Sequence, residues 1–470
     1  MKMKKIAIFI LTIVALNSCT NEFEAINTNK NQPTNAEPKF LLPSAIFDLA
    51  NNTVSQTFGF GDIISQYGGD YEYNELDIYN WGSDNRFWDL YDFIENAKDI
   101  ETQAIANGDK NYEAVALVLE SYMTSILTDS YGSVPFSEAN NGINGNYMPK
   151  YDSQQEIYTT ILNNLTYANS IIDENTTIEG DILFNGDMLM WKKFCNSLHI
   201  RLLMRISNKE DIAQRLTEII SNSVVYPLFE SNNDNAIYNY SGSFPDISPR
   251  SAGIGREYEY HIVIPSTHFI NLLVANNDPR LNEWVDASGA SNSYVGLEPG
   301  LPLDQIGEPI NYARRSDAHF NDPTKISAIF MTYSELNFLL AEARERNLIT
   351  LGTAQNYYNT AVQASFEQWS LSMPSNYLTE TAQYNSSSNV LYEQKWLALY
   401  HTGVEAWFDW KRTGKPSFIQ AGPGAQNNSL VPRRLLYPSI EQSINNTSYQ
   451  QAIESIGGDN INAKVWWDNF

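Results

Sequence analysis

The sequence predicts a mainly α-helical protein made of paired helices and a large irregular portion. Apolar residues recur three and four positions apart through eight segments that fall into four neighbouring pairs. Two long stretches rich in Pro, Gly, Asn, Ser and Tyr show no such period. The chain can also fill a core: of 470 residues 43% are hydrophobic and 13% aromatic, and only 18% are charged, the reverse of a disordered composition.

The first eighteen residues read as a secretory signal. Lys2, Lys4 and Lys5 precede an apolar run from Ile6 to Leu16, too short to cross about 30 Å of hydrocarbon as a helix. The run ends in Leu16-Asn17-Ser18-Cys19, which resembles a lipobox, so Cys19 is expected to be diacylated and to become the mature N-terminus. Cleavage there removes three lysines and takes the formal charge from −25 to −28. Residues 19–39 are polar and without period, a flexible tether, and residues 40–470 are expected to form one domain.

The helices follow in order. Ser83 or Asp84 is placed to cap a segment with Phe87, Leu90, Tyr91, Ile94 and Ala97 on one face, stopped at Asn107-Gly108. Its partner carries Tyr112, Val115, Leu119, Met123 and Ile126. Ser153 and Glu156 form a capping box before Ile157, Ile161, Leu165, Ala168 and Ile172; the partner runs from Asp187 through Trp191, Phe194 and Leu198 to Ile206. Thr332 and Glu335 form a second box before Leu336, Leu339, Leu340 and Ala343, followed after Leu351-Gly352 by a helix around Tyr357, Ala361, Ala364 and Trp369. Residues 389–411 add a last pair broken near Gly403. These are four hairpins of tetratricopeptide size. Between 223 and 330 only Ser266 to Asn276 looks helical, and 55–82 is irregular too. Long irregular stretches in a compact protein usually carry function.

Charge and motif exclude several classes. With 55 acidic against 30 basic residues the chain has no general attraction for nucleic acid or anionic headgroups. Cys19 and Cys195 are too few for a disulfide framework or a four-ligand zinc site, and Cys195 falls on the apolar side of a helix. There is no nucleophile elbow, phosphate-cradling glycine loop or paired-histidine zinc motif, and the five histidines are scattered. Asn232-Asn233-Asp234-Asn235 reads as a turn, because it lacks the Gly and distal Glu of a calcium loop. No cofactor and no metal are expected, and no motif supports a catalytic carboxylate pair.

The loops offer aromatic side chains beside amides and charges. A pyranose has an apolar C–H face and a polar rim, so it needs a flat ring to stack on and polar groups for its hydroxyls. Tyr73-Asn74-Glu75, Tyr79-Asn80-Trp81, Asn282-Glu283-Trp284 and Tyr312-Ala313-Arg314-Arg315 have this make-up. The expected binding platform is therefore Tyr73, Tyr79, Trp81, Trp284, Tyr294 and Tyr312, with Arg314 beside it. Trp88, Trp191, Trp369, Trp396, Trp407 and Trp410 fall in helical segments and are assigned to packing. A body at −28 favours a neutral glycan unless Arg250, Arg256, Arg280, Arg314 and Arg315 gather on one face.

Ordered motifs along nearly the whole chain carry a resemblance. They include Phe23-Glu24-Ala25-Ile26-Asn27, Thr128-Asp129-Ser130-Tyr131-Gly132, Trp191-Lys192-Lys193-Phe194, Asn277-Asp278-Pro279-Arg280, Glu405-Ala406-Trp407, Arg412-Thr413-Gly414 and the closing Val465-Trp466-Trp467-Asp468. With these the chain resembles the SusD/RagB family of outer-membrane nutrient-binding lipoproteins, in its SusD-like branch from Bacteroidota. Glu22 and Glu24, just after Cys19, resemble the acidic export signal of surface lipoproteins in those bacteria. The resemblance implies a SusD-like fold, with four tetratricopeptide-like hairpins and an irregular ligand-binding face. It implies a non-catalytic, lipid-anchored lid on the outer membrane, exposed at the cell surface, that captures oligo- or polysaccharide for a SusC-like, TonB-dependent transporter. The alternatives are a peptide-binding lid of the same fold and a surface glycoside hydrolase.

Overall fold

The computed structural model describes residues 36–251, 262–387 and 389–468. The signal peptide 1–18, Cys19, all but the last residues of the tether 19–39, and Arg256 lie outside the described residues. The body starts with α1 (Pro38–Gln56), a helix the sequence reading did not anticipate, which buries Leu42, Ile46, Leu49 and Val54. Helical structure then continues through a π-turn at Thr57–Gly61 and a single turn at Asp62–Ile64, so the first irregular stretch begins about ten residues later than expected. Gly61 explains the helix's close approach: a Cβ there would lie 2.0 Å from the Gly403 carbonyl oxygen.

The expected pairs are present. They are α2 (Leu90–Asn107) with α3 (Lys110–Tyr131), and α4 (Gln154–Ile171) with α5 (Met188–Ile206), which leads into α6 (Ala213–Ser221). In the middle of the chain lie α7 (Thr267–Ala275), capped by Ser266, and the short α8 (Arg280–Trp284). The last two pairs are α9 (Tyr333–Glu345) with α10 (Ala354–Gln368), and α11 (Val390–Ala398) with α12 (Glu405–Thr413). Two further helices, α13 (Ser439–Ile444) and α14 (Asn446–Ser455), close the chain. The stop after α2 is as expected: Gly108 takes a left-handed φ of +73°.

The start of α2 differs from expectation. Asp84 does not cap it but turns back on Arg86, accepting from its backbone N at 2.8 Å and pairing with its guanidinium at 2.5 Å, so the helix opens only at Leu90. At α4 the capping box is complete: Ser153 accepts from Glu156 N, and Glu156 accepts from Ser153 N at 3.0 Å. At α9 only half of it forms. Thr332 caps Glu335 N at 3.1 Å, but the Glu335 carboxylate is drawn off to Arg201 at 2.5 Å.

That pair belongs to a buried chain of charges linking all four hairpins. Arg205 of α5 reaches Asp129 of α3 at 3.3 Å and Glu405 of α12 at 2.5 Å. Glu342 of α9 is held by Arg412, and by Lys395 and Arg346, each at 3.1 Å; Asp409 bridges Lys395 and Arg412. Burial opposes ionisation of Glu342, yet Arg412 and Lys395 hold its carboxyl well below the usual range. Cys195 is fully buried, its thiol pushed up to about 12 by desolvation, and Asn232–Asp234 is a single turn capped by Ser231.

Strands among the described residues form four antiparallel two-stranded ribbons. These are β1 (Gly68–Asp70) with β5 (Val263–Pro265), β2 (Val134–Pro135) with β3 (Tyr151–Asp152), β4 (Ala236–Tyr238) with β8 (Ala328–Met331), and β6 (Val285–Asp286) with β7 (Arg314–Arg315). They fix the roots of the long loops. No helix among the described residues is long and apolar enough to cross a membrane.

Candidate binding face

The loops after β1 and before β7 meet because their roots pair. Gly69 of β1 lies opposite Ile264 of β5, and the chain near Leu297 bridges to Ser266 at the end of β5. After β1 the chain reverses on Asp70, whose Oδ1 accepts from the backbone N of both Glu72 and Tyr73 at 2.8 Å. Asp77 accepts from Asp70 N at 3.2 Å. Burial pushes the Asp77 carboxyl well above the usual carboxylate range and raises Asp70 also. Two raised carboxyls near a loop would suit general acid chemistry, but these two are engaged in holding the turn's own backbone.

Three loops are then joined through their backbones. Asn74 donates to the Leu301 carbonyl at 2.9 Å, Gly424 N to Gly300 O at 2.8 Å, and Gln426 N to Ile78 O at 2.7 Å. Glycine is needed at the seam: Gly300 sits at φ +66°, and a Cβ on Gly422 would lie 2.0 Å from the Pro299 carbonyl oxygen. The joined loops surround a depression of about 630 Å³ lined by Asn74, Ile78, Leu303, Asp304, Gly424 and Gln426. Tyr73, at its edge in sequence, is 63% exposed, and Leu303 is exposed as well.

The expected platform is only partly of this kind. Tyr73 is free to stack. Trp284 is corrected to a core residue: it is 0% exposed, stacked on Phe269 at 5.6 Å and edge-on to Trp369 at 5.3 Å, which leaves no face for a ligand. It ends a helical turn, α8, whose inner side a single-sequence reading could not see. Tyr79 is likewise buried, its hydroxyl accepting from Gln66 at 3.1 Å. Trp81 is half-buried; its indole N–H donates to Leu76 O at 3.0 Å and its ring packs against Phe60 and Trp407. Tyr294 and Tyr312 are half-buried and tied down, Tyr294 donating to Asn282 at 2.8 Å and Tyr312 accepting from Gly307 N at 3.2 Å.

Three of the five arginines, Arg280, Arg314 and Arg315, are paired with carboxylates. Arg280 is buried on Asp278 and Arg315 on Asp62, each at 2.6 Å. Arg314 is half exposed but held by Asp317 at 2.7 Å and Asp286 at 3.6 Å. The loop at 422–426 was not singled out from sequence, since its contribution is backbone and small residues. Among the described residues no group of three His, Cys, Asp or Glu side chains is placed to hold a metal ion.

Helical hairpins that bury their charges, and a loop face joined by hydrogen bonds around an open depression, define a helical-repeat scaffold with an irregular loop face. Comparison with known proteins gives this class its family. Residues 30–438 match the SusD-like family described as starch-binding and associating with the outer membrane, and the chain belongs to that family. It is similar to a SusD homologue from Bacteroides fragilis, at 22% identity and a TM-score of 0.82 over 92% of this chain and 100% of that one. It is also similar to a SusD homologue from Bacteroides uniformis (26%, TM-score 0.79) and to a chitin-binding protein (25%, TM-score 0.79), each over 92% of this chain and 100% of the other. Among curated proteins none matches in sequence.

Proposed function

We propose that this protein is a cell-surface lipoprotein, anchored through Cys19, that captures a neutral oligo- or polysaccharide and delivers it to a SusC-like, TonB-dependent transporter without altering it. The observation that carries the reading is Tyr73, an exposed ring next in sequence to Asn74, which lines a depression whose walls are fixed by hydrogen bonds to backbone. A preorganised wall with one free aromatic suits stacking on a sugar face with little ordering cost. The family's description and the chitin-binding relative support a glycan. Neutrality is supported by Arg280, Arg314 and Arg315, whose charges are paired with Asp278, Asp286, Asp317 and Asp62. Engagement of Asp70 and Asp77 with backbone supports binding over hydrolysis.

Affinity gels across a panel of polysaccharides test this directly. At least one neutral polysaccharide should retard the wild-type protein, with little dependence on salt and no release of reducing ends. Retardation that collapses between low and high ionic strength would point to an anionic ligand, and new reducing ends to a hydrolase. Cys19→Ala should free the protein from the outer membrane, and tagged wild type should bring down a much larger barrel protein in mild detergent.

A further inference from the structure

A second cavity, of about 370 Å³, shares no lining residue with the loop-face depression. It lies between the β4–β8 ribbon, which contributes Ile237 and Ile329, the C-terminal end of α10 at Gln368 and Trp369, and two histidines from separate segments, His319 and His401. Its size is that of a small-molecule site. Asn239, Thr324, Lys325 and Ser370 at its rim are exposed, whereas both histidines are buried.

The polar atoms around it are unusual. His319 Nδ1 lies 3.4 Å from Glu283 Oε1, which also takes Lys325 Nζ at 2.9 Å. An ionised carboxylate can only accept, so His319 Nδ1 carries a proton. His319 Nε2, His401 Nε2 and Gln368 Oε1 are buried and have no hydrogen-bond partner among the described residues. Buried polar atoms are almost always satisfied, so three orphans lining one cavity call for a polar ligand, and a hydroxyl, which both donates and accepts, can satisfy an amide oxygen or either form of an imidazole nitrogen. Trp369 adds an indole packed against both histidine rings, at 5.4 Å from His319 and 5.8 Å from His401.

The charge balance narrows the ligand. Glu283 and Lys325 cancel. Burial, with His319 and Arg315 adding to it, drives His401 well below its ordinary value, so its ring is neutral. The lining therefore offers a mutually paired carboxylate and ammonium, three unpartnered polar atoms and one indole. We propose that this cavity is a second binding site, which takes a neutral, polyhydroxylated unit of one or two rings, its hydroxyls bonding His319, His401 and Gln368 and its C–H face resting on Trp369. The site goes beyond the loop-face reading and does not depend on it.

The test is a ligand-observed NMR titration of the whole mature protein with uncharged methyl glycosides of glucose, galactose, mannose and N-acetylglucosamine. At least one should bind the wild type. Gln368→Met keeps the side chain's length but removes the acceptor, and should weaken that binding about three- to tenfold. Leu371→Trp, which fills the cavity, should abolish it, while both variants keep wild-type retardation in polysaccharide gels. If Leu371→Trp does not fold, the ring resonances of His319 and His401 in the wild type decide: they should shift on saturation. No binding by any of the four glycosides, binding unchanged in Gln368→Met, or histidine resonances that stay fixed at saturation would overturn the proposal. The gels read the loop face and the titration reads this cavity, so the two readings fail separately.

Discussion

The hairpin body and the loop face are held together by different means. In the body, charged side chains cross from one hairpin to the next and end on each other: Arg205 on Asp129 and Glu405, Arg201 on Glu335, Lys395 and Arg412 on Glu342 and Asp409. On the loop face the joints are backbone groups, Gly424 to Gly300 and Gln426 to Ile78, with Asn74 reaching Leu301. The difference teaches where a side-chain change will register. Body charges are committed to holding the hairpins together, whereas side chains on the face, such as Tyr73 and Leu303, stand exposed.

The largest effect should come from the body. Glu342→Ala leaves Arg412 and Lys395 to share Asp409 alone in a dry interior, and breaking one partner of a buried pair costs about 3–5 kcal/mol. Denaturant unfolding should show that loss as a lower midpoint. A change under about 1 kcal/mol would mean that the charge chain is replaceable and that hydrophobic packing alone joins the hairpins.

Next comes a pair of substitutions within the irregular regions that sharpens the comparison. Trp284→Ala removes a fully buried indole and should destabilise by about 3–5 kcal/mol. Tyr73→Ala should leave the melt unchanged to within about 0.5 kcal/mol yet, under the proposed function, weaken polysaccharide binding roughly 30-fold, as the removal of a principal stacking ring does. Thermal melts and affinity gels on both proteins separate the two roles. A stable Trp284→Ala with lost binding would reverse the assignment of these aromatics.

The hairpins were legible in the sequence because a helix advertises its buried side through a period, and capping residues mark its ends: Ser153, Asp187, Thr332 and Gly108 all act at the termini expected of them. The loop aromatics had no such period. Tyr73 and Trp284 both stand next to amides or charges in irregular sequence, yet one points out and the other lies between Phe269 and Trp369. Which way a loop residue faces depends on partners far away in the chain, and those partners leave no local trace. The same holds for His319, His401 and Trp369, which the fold brings together from three segments. It holds for the seam glycines too, whose role is to be absent side chains.

The smallest effect is a pH dependence at the rim between the two kinds of region. Hydrogen bonds from His319 and then Lys325 pull the Glu283 carboxyl down to about 2, against partial burial that would raise it. An acid whose folded pKa lies below its unfolded value, about 4.3 for Glu, stabilises the fold fully above that unfolded value and loses the contribution as pH falls toward the folded one. Glu283→Gln should therefore be less stable than wild type at pH 6, and the gap should close between about pH 4.5 and pH 2. Stability curves for the two proteins measured across that range read the difference directly, free of the other carboxyls that titrate in both. A gap that stays constant with pH would mean that Glu283 contributes through packing alone, and that its bonds to His319 and Lys325 carry no net charge interaction.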